Sequence, residues 1–279
     1  MSFTENVRGE YVMLNIDLYN REDLKPSDID FLKAFKNQDE TCFFRMIHDT
    51  KGISKNESSK LELTEDEFLY MRSTFSRYQK RGYGIFFVVQ SGGQKKDSIN
   101  RINAHFIDID FEKSNSKEQM ERLKADALTE LQKFPLEPSI IVETKNGFHI
   151  YWLLDPKVYD IETYTYIQKH LIGHFRYADK ATIDLSRVMR VPGYLHLKDP
   201  NNPFLIKCIW FKSNIRHSQE QFIQAIGLDI AKMKDALKKA DKGLKIKNKD
   251  KVNVKDELDI DRLNLKDEVK KKNYVIIID

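Results

Sequence analysis

The stretch Ile140-Ile141-Val142-Glu143-Thr144-Lys145-Asn146-Gly147-Phe148-His149-Ile150-Tyr151-Trp152-Leu153-Leu154 decides the fold class. Two runs rich in β-branched and aromatic residues flank Asn-Gly, the preferred pair for a tight type I′ hairpin turn, whose two central residues need positive φ. The runs are therefore expected to pair antiparallel. Side chains alternate along a strand, so His149, Tyr151 and Leu153 share one face of the second run, and Phe148, Ile150, Trp152 and Leu154 share the other. The second set is more apolar and is expected to face the core, which leaves His149 on a polar side.

Upstream, Pro135 and Pro138 end a helix that opens on a capping box, Ser116 with Gln119, and carries Met120, Leu123, Ala127, Leu131 and Phe134 as one apolar stripe. Before it, His105 to Phe111 reads as a strand, and so does Ile85 to Val89, closed by Ser91-Gly92-Gly93. A helix from Thr64, boxed with Glu67, shows Phe68, Met71, Phe75 and Tyr78 at helical spacing and should end near Gly82. Phe43, Phe44 and Ile47 mark an edge strand within the first 60 residues, which are assigned to the same fold by proximity. Downstream come a helix from Ile161 to Phe175, an irregular Asp- and Arg-rich stretch to Pro203, and an apolar strand from Phe204 to Phe211. A third box, Ser218 with Gln221, opens a short helix ending near Gly227. Strands and helices that alternate but include a hairpin predict the α/β (α+β) class with a mixed or antiparallel central sheet.

The chain has 279 residues, 41% of them apolar and 11% aromatic, enough for a real core in one or two domains. Charge is uneven. Residues 231–279 hold 15 Lys and Arg against 10 Asp and Glu, a charge of +5, while residues 1–230 carry −1. The expected organisation is a catalytic domain over 1–230 and a basic appendage over 231–279, helical or partly disordered, able to contact nucleic acid or simply solvated. No apolar run approaches the roughly 18 to 20 residues of a membrane span, and Met1-Ser2-Phe3-Thr4-Glu5 lacks the form of a signal peptide, so a cytoplasmic protein without membrane contact is expected. Cys42 and Cys208 cannot form a multi-cysteine zinc site, so any metal would be held by oxygen, with imidazole as a further donor. There is no Walker phosphate loop, hence no fused ATPase signature.

Chemistry concentrates at Phe106-Ile107-Asp108-Ile109-Asp110-Phe111-Glu112. Alternation puts Asp108, Asp110 and Glu112 on one face, where like charges repel unless a cation neutralises them, and Mg²⁺ or Mn²⁺ favours carboxylate oxygen. An acidic outer face on a half-exposed strand would look the same. His149 adds an imidazole on the hairpin. The stretch Asp179 to Gly193 adds Asp179 and Asp184, then Arg187 and Arg190 three residues apart, then Pro192-Gly193. Carboxylates with a histidine and arginines are the parts a phosphoryl-transfer site uses.

At these residues the chain resembles the archaeo-eukaryotic primase superfamily, and within it the replication-protein-B-like primases of plasmids, phages and integrated elements. Asp108 and Asp110 match its first motif, Asp-x-Asp on a strand. Gly147-Phe148-His149 matches the second, and Ile183-Asp184 the third, leading into Arg187, Arg190, Pro192 and Gly193. The order and approximate spacing match over roughly residues 80–210. The resemblance implies a DNA primase or primase-polymerase in which Asp108, Asp110 and Asp184 hold two divalent metals, Mg²⁺ or Mn²⁺, with Asp179 close enough to compete for the third carboxylate role. It implies that His149 and Arg190 contact the incoming nucleotide's phosphates, with Arg187, Lys145 and Lys198 as further phosphate or template contacts. His196 stands where this branch usually shows Asn. The implied partners are a single-stranded DNA template, dNTPs or NTPs, and a replicative helicase or replication initiator on another chain.

Two other readings stay open. A non-catalytic replication initiator on the same fold is disfavoured because a binding module gains nothing from a repulsive acidic face. A metal-dependent nuclease could use the same acids, although the His-hydrophobe-His pair of rolling-circle nucleases is missing. Tyr151 and Trp152 flank the expected site, with base stacking open to one of them and packing expected for Trp152.

Overall fold

The computed structural model describes residues 4–5, 11–12, 26–37, 40–60, 65–111, 116–155, 160–229, 231, 232 and 235. Thr64, Glu112 and most of the basic C-terminal stretch lie outside these residues, and so do the expectations that rest on them. Two compact units are distinguished, Met1–Ala225 and Ile226–Asp279, and everything below concerns the first.

Its elements run β1 (Thr4–Glu5), β2 (Tyr11–Val12), α1 (Asp28–Phe35), β3 (Thr41–His48), β4 (Ser54–Lys60), α2 (Glu65–Gln79), β5 (Tyr83–Val88), β6 (Ala104–Asp110), α3 (Lys117–Leu131), β7 (Ile140–Thr144), β8 (Gly147–Leu153), α4 (Ile161–His174), β9 (Val188–Arg190), β10 (Leu195–His196), β11 (Phe204–Leu205), β12 (Lys207–Phe211) and α5 (Gln219–Ile226). Two four-stranded sheets, ordered β12-β7-β8-β6 and β4-β3-β5-β9, carry the fold, and their ladders are antiparallel throughout. The antiparallel option of the expected α+β class is thus the one adopted.

The capping boxes at Ser116 and Ser218 form as expected. The Gln119 N–H donates to Ser116 Oγ at 3.2 Å while Gln119 Oε1 accepts from the Ser116 N–H at 2.7 Å, and Ser218 and Gln221 repeat the exchange at 3.3 and 2.8 Å. Each satisfies two donors that a helix start leaves orphaned.

The core lies between the sheets. Phe31 and Phe35 of α1 wedge into it, each meeting Phe87 of β5 and Tyr151 of β8 edge-on at centroid distances of 5.0–6.2 Å. Such edge contacts add about 0.5–1.5 kcal/mol each beyond area burial. On the other face of the first sheet, Trp152 packs against Phe134, Phe175 and Phe222, and its indole N–H donates to the Leu136 carbonyl at 2.9 Å.

Three expectations are corrected. The face of β8 that carries His149 is not a polar side: Tyr151 and Leu153 belong to the core between the sheets, and both faces of β8 are buried because helices cover one and the second sheet covers the other. The packing expected for Trp152 is found, and base stacking is open to neither Trp152 nor Tyr151, since both are fully buried. The strand containing Phe43, Phe44 and Ile47 is not an edge strand: β3 pairs with β4 on one side and β5 on the other. The edge is β4, whose sequence Ser-Lys-Asn-Glu-Ser-Ser-Lys contains no apolar residue, a composition that protects a free edge from further pairing. The irregular stretch before Pro203 contributes β9 to the second sheet, and the strand from Phe204 is split into β11 and β12.

Candidate active site

The β6–β8 ladder sets the first two groups side by side, with Asp108 opposite His149 in the register. Closeness of the strands there depends on Gly147. It opens β8 opposite Asp110, and a Cβ on it would stand 1.8 Å from the Ile109 carbonyl oxygen. The two-residue turn of the hairpin is Lys145-Asn146, so Gly147 serves the strand's close approach to β6 and not the positive φ of the turn. His149 Nε2 lies 3.7 Å from Asp108 Oδ1, and the Tyr151 hydroxyl lies 3.4 Å from His149 Nδ1. Asp110, two residues on and on the same face, is exposed at the strand end.

The segment after α4 folds back onto β6. The Asp179 N–H donates to the Asp108 carbonyl at 2.7 Å, and Ala178 bridges Ile109. Asp179 caps a short 3₁₀ turn, Lys180–Ile183, by accepting from the Ala181 N–H. Arg187 then reaches across: its Nη2 is 2.6 Å from Asp179 Oδ2 and 3.7 Å from Asp108 Oδ2. Asp184 is engaged elsewhere, its Oδ1 accepting from the Ser186 N–H and hydroxyl at 2.9 Å. Of the two acids competing for the third position, Asp179 is therefore the one tied to Asp108.

Arg190 arrives from the second sheet, where β9 pairs with β5. Its guanidinium lies over the Phe86 ring at 4.5 Å and donates to Asp49 Oδ1 at 2.6 Å. Gly84 leaves room for it, since a Cβ there would meet Arg190 Nη1 at 2.3 Å. Asp49, with a side chain only 3% exposed, also accepts from the Leu197 N–H at 2.6 Å, so one carboxylate orients both the arginine and the strand bearing His196. Lys145 donates to the Asn202 carbonyl at 3.3 Å, and both Lys145 and Lys198 lie within electrostatic reach of His196.

Burial lifts the Asp108 carboxyl from 3.8 to about 7, with Arg187 opposing the rise and Asp110 and Asp179 adding to it. Burial, then Arg190 and Arg187, press His149 down to about 3, so its imidazole is neutral at physiological pH. Burial raises the Tyr151 phenol well above its ordinary value, so it keeps its proton and can donate to Nδ1, which leaves the imidazole proton on Nε2, facing Asp108. Burial and then Arg190 also lower His196 to about 4, Lys145 and Lys198 assisting and Asp49 opposing. The site is thus acidic at its floor and cationic around it.

Among the described residues, no three carboxylate, imidazole or thiol groups already stand as a metal-binding cluster. Arg187 occupies the position a cation would take between Asp108 and Asp179. The donors themselves fit a hard divalent ion: they are carboxylate oxygens, and one is held far from its ordinary ionisation by burial, a state that a cation relieves. Cys42 and Cys208 are buried free thiols in the hydrophobic core.

Asp49 was not legible in advance. It follows β3 as a lone acid in a turn, and only the β3–β5–β9 pairing brings it under Arg190.

No protein-family model matches the chain. A curated relative described as "Replication protein", from Clostridium perfringens, is 19% identical over 211 residues, covering 73% of this chain and 48% of that protein. The chain thus spans about half the length of the curated relative it matches. The AEP domain of the cyanophage S-2L primase-polymerase aligns with a TM-score of 0.52 at 20% identity, over 71% of this chain and 95% of that one. Primase RepB′ aligns with a TM-score of 0.52 at 16% identity, over 88% and 75%. The catalytic domain of primase RepB′ in complex with initiator DNA gives 0.50 at 16%, over 75% and 98%. These likenesses show the fold: the chain has the catalytic-domain fold of archaeo-eukaryotic primases. Among the described residues, no helix is long and apolar enough to cross a membrane.

Proposed function

We propose that the chain is a nucleotidyltransferase of the primase or primase-polymerase type, making primers on single-stranded DNA from dNTPs or NTPs in the replication of a plasmid, phage or integrated element. The observation that carries this reading is the gathering of Asp108, Asp110 and Asp179 against a neutral His149 and the two arginines, Arg187 and Arg190, at one end of the β6–β8 ladder. Asp108, Asp110 and Asp179 would hold two Mg²⁺ or Mn²⁺ ions. Such ions lower the pKa of an attacking hydroxyl and neutralise charge on phosphate oxygens.

The protein's own groups have separable tasks. His149 presents Nε2–H to a phosphate oxygen, its tautomer held by the Tyr151 hydroxyl. Arg190, aimed by Asp49 and the Phe86 ring, supplies a fixed positive charge to the triphosphate. Arg187 exchanges its carboxylates for phosphate as the acids are taken up. Lys145 and Lys198 extend the cationic surface toward template. In the transfer itself the 3′-oxygen bonds to the α-phosphorus, the bond to pyrophosphate breaks, and the hydroxyl proton leaves. A helicase or replication initiator on another chain and a cytoplasmic setting complete the reading.

The test is primer synthesis on single-stranded DNA with labelled dNTPs and NTPs in Mg²⁺ or Mn²⁺, comparing wild type with Asp108→Ala/Asp110→Ala. Short products that vanish in a folded double variant are expected, and the nucleotide incorporated identifies the substrate. Strand cleavage in place of synthesis would overturn the reading in favour of a nuclease. A folded wild type that makes no product across templates and metals would favour a non-catalytic initiator.

A further inference from the structure

A cavity of about 170 Å³ opens at the end of the β6–β8 ladder opposite Asp108 and His149. Lys33, Lys36 and Asn37 line it from α1 and the turn that follows, Arg101 and Asn103 from the segment before β6, and Arg216 from the segment before α5. From Asn103 to Asp108 the strand rises about 3.4 Å per residue, which separates the cavity from the candidate active site by about 17 Å.

The cations around the cavity are poorly matched. Lys36, 4% exposed, donates to the Gln90 carbonyl and, at 3.4 Å, to Ser91 Oγ, both neutral acceptors. Arg216 donates to the carbonyls of Leu154 and Ala34 at 3.0 and 2.9 Å. Two carboxylates face the group. Glu40 is engaged by the Arg101 guanidinium and by the Asn37 N–H at 2.6 Å, and Asp155 acts on Arg216 against the repulsion of Arg101. The Cys42 thiol beside Lys36 keeps its proton, since burial pushes it up to about 12. Among the described residues, four basic side chains therefore meet two acids around one cavity. Burial lowers Lys36 to about 8, Arg101 adding to the fall while Glu40 opposes it. Lys36 is a buried cation held by neutral dipoles beside an opening, which is costly unless an anion joins it, while Arg216 and Lys33 stand exposed at that opening.

We propose that this cavity binds a phosphate-class oxyanion, either a backbone phosphate of single-stranded nucleic acid or a free phosphate, with Lys36 and Arg216 as its cationic donors and Lys33 at its rim. The proposal does not depend on the nucleotidyltransferase reading.

The test measures the thermal midpoint of the metal-free full chain against inorganic phosphate at constant ionic strength, with chloride as the control. Wild type should be stabilised in a saturable way. Arg216→Gln and Lys36→Met should weaken the apparent affinity about tenfold or more, the scale of one lost charge-assisted hydrogen bond. The readout is anion binding without metal, template or nucleotide, so the outcome is separate from that of the primer-synthesis assay. A second arm uses fluorescent oligo-dT without metal. Displacement by phosphate, with a log–log salt slope reduced by about 0.7 in Arg216→Gln, identifies a backbone phosphate as the occupant. A phosphate response with no such change identifies a free anion. A folded Arg216→Gln that responds to phosphate like wild type overturns the proposal, as does a wild type that responds no differently to phosphate than to chloride. Should Lys36→Met not fold, Arg216→Gln decides.

Discussion

Replacing Asp108 with Asn removes a charge that the fold otherwise has to bury, so the variant should be the more stable protein when no metal is present. The carboxyl moves from 3.8 to about 7 on folding. That is about three units at roughly 1.36 kcal/mol each, a ceiling of about 4 kcal/mol. Relaxation and partial hydration of a side chain that is 18% exposed bring the expected gain to about 2 kcal/mol. The sign follows from proton counts. Between pH 3.8 and about 7 the folded state keeps a proton that the unfolded chain has released, so wild-type stability falls as pH rises through that window and stays low above it. Asn has no such dependence, and its advantage should therefore grow from pH 5 to pH 8. Urea denaturation in EDTA at both values measures it, and the thermal midpoint should rise by about 4–8 °C at pH 8. Mg²⁺ added at pH 8 should then raise the wild-type midpoint and leave the variant unmoved. An Asn variant less stable than wild type at pH 8, or a gain equal at both pH values, would refute the reasoning.

Asp179→Asn should cut nucleotide incorporation by at least the roughly 100-fold that loss of an outer-shell metal partner can cost, while Asp184→Asn stays within a few-fold of wild type. Single-turnover extension measures both, and the reverse order would return the third carboxylate role to Asp184. Asp49→Asn should lower kcat/KM for nucleotide about tenfold or more at unchanged circular dichroism, because a positioning group displaced by about 1 Å can cost 10²-fold. An unaltered kcat/KM would detach Arg190 from the chemistry. Gly147→Ala should destabilise by about 2–4 kcal/mol in urea, because its Cβ would press on the Ile109 carbonyl. A change under about 0.5 kcal/mol would show that the β6–β8 approach is not tight.

The hairpin was legible because Asn-Gly between β-rich runs is a local signal, yet the reason for Gly147 lies on a third strand that local chemistry does not reveal. Alternation located the acids of β6 correctly on one face but misassigned β8, since a strand covered on both sides has no polar face to betray its orientation. β4 was invisible because seven polar residues carry no hydrophobic period, and its strand state is imposed by the backbone of β3. Asp179 and Asp184 were equivalent in sequence. Only the hydrogen bond from the Asp179 N–H to the Asp108 carbonyl, and the turn that engages Asp184 with Ser186, separates them.

The aromatic wedge of α1 has a consequence for the chemistry. Tyr151, whose hydroxyl steadies His149, and Phe87, whose strand neighbour in the ladder carries Arg190, both rest on Phe31 and Phe35. The rings therefore act as a gauge block, and under the proposed function their thickness sets the gap across which imidazole and guanidinium would face a common substrate. Close-packed interiors transmit volume changes and do not absorb them. A core that merely stabilises could trade these rings for other apolar groups of similar volume. One that also meters a distance cannot, and in this chain α1 is as much a part of the tolerances of the site as the residues that line it.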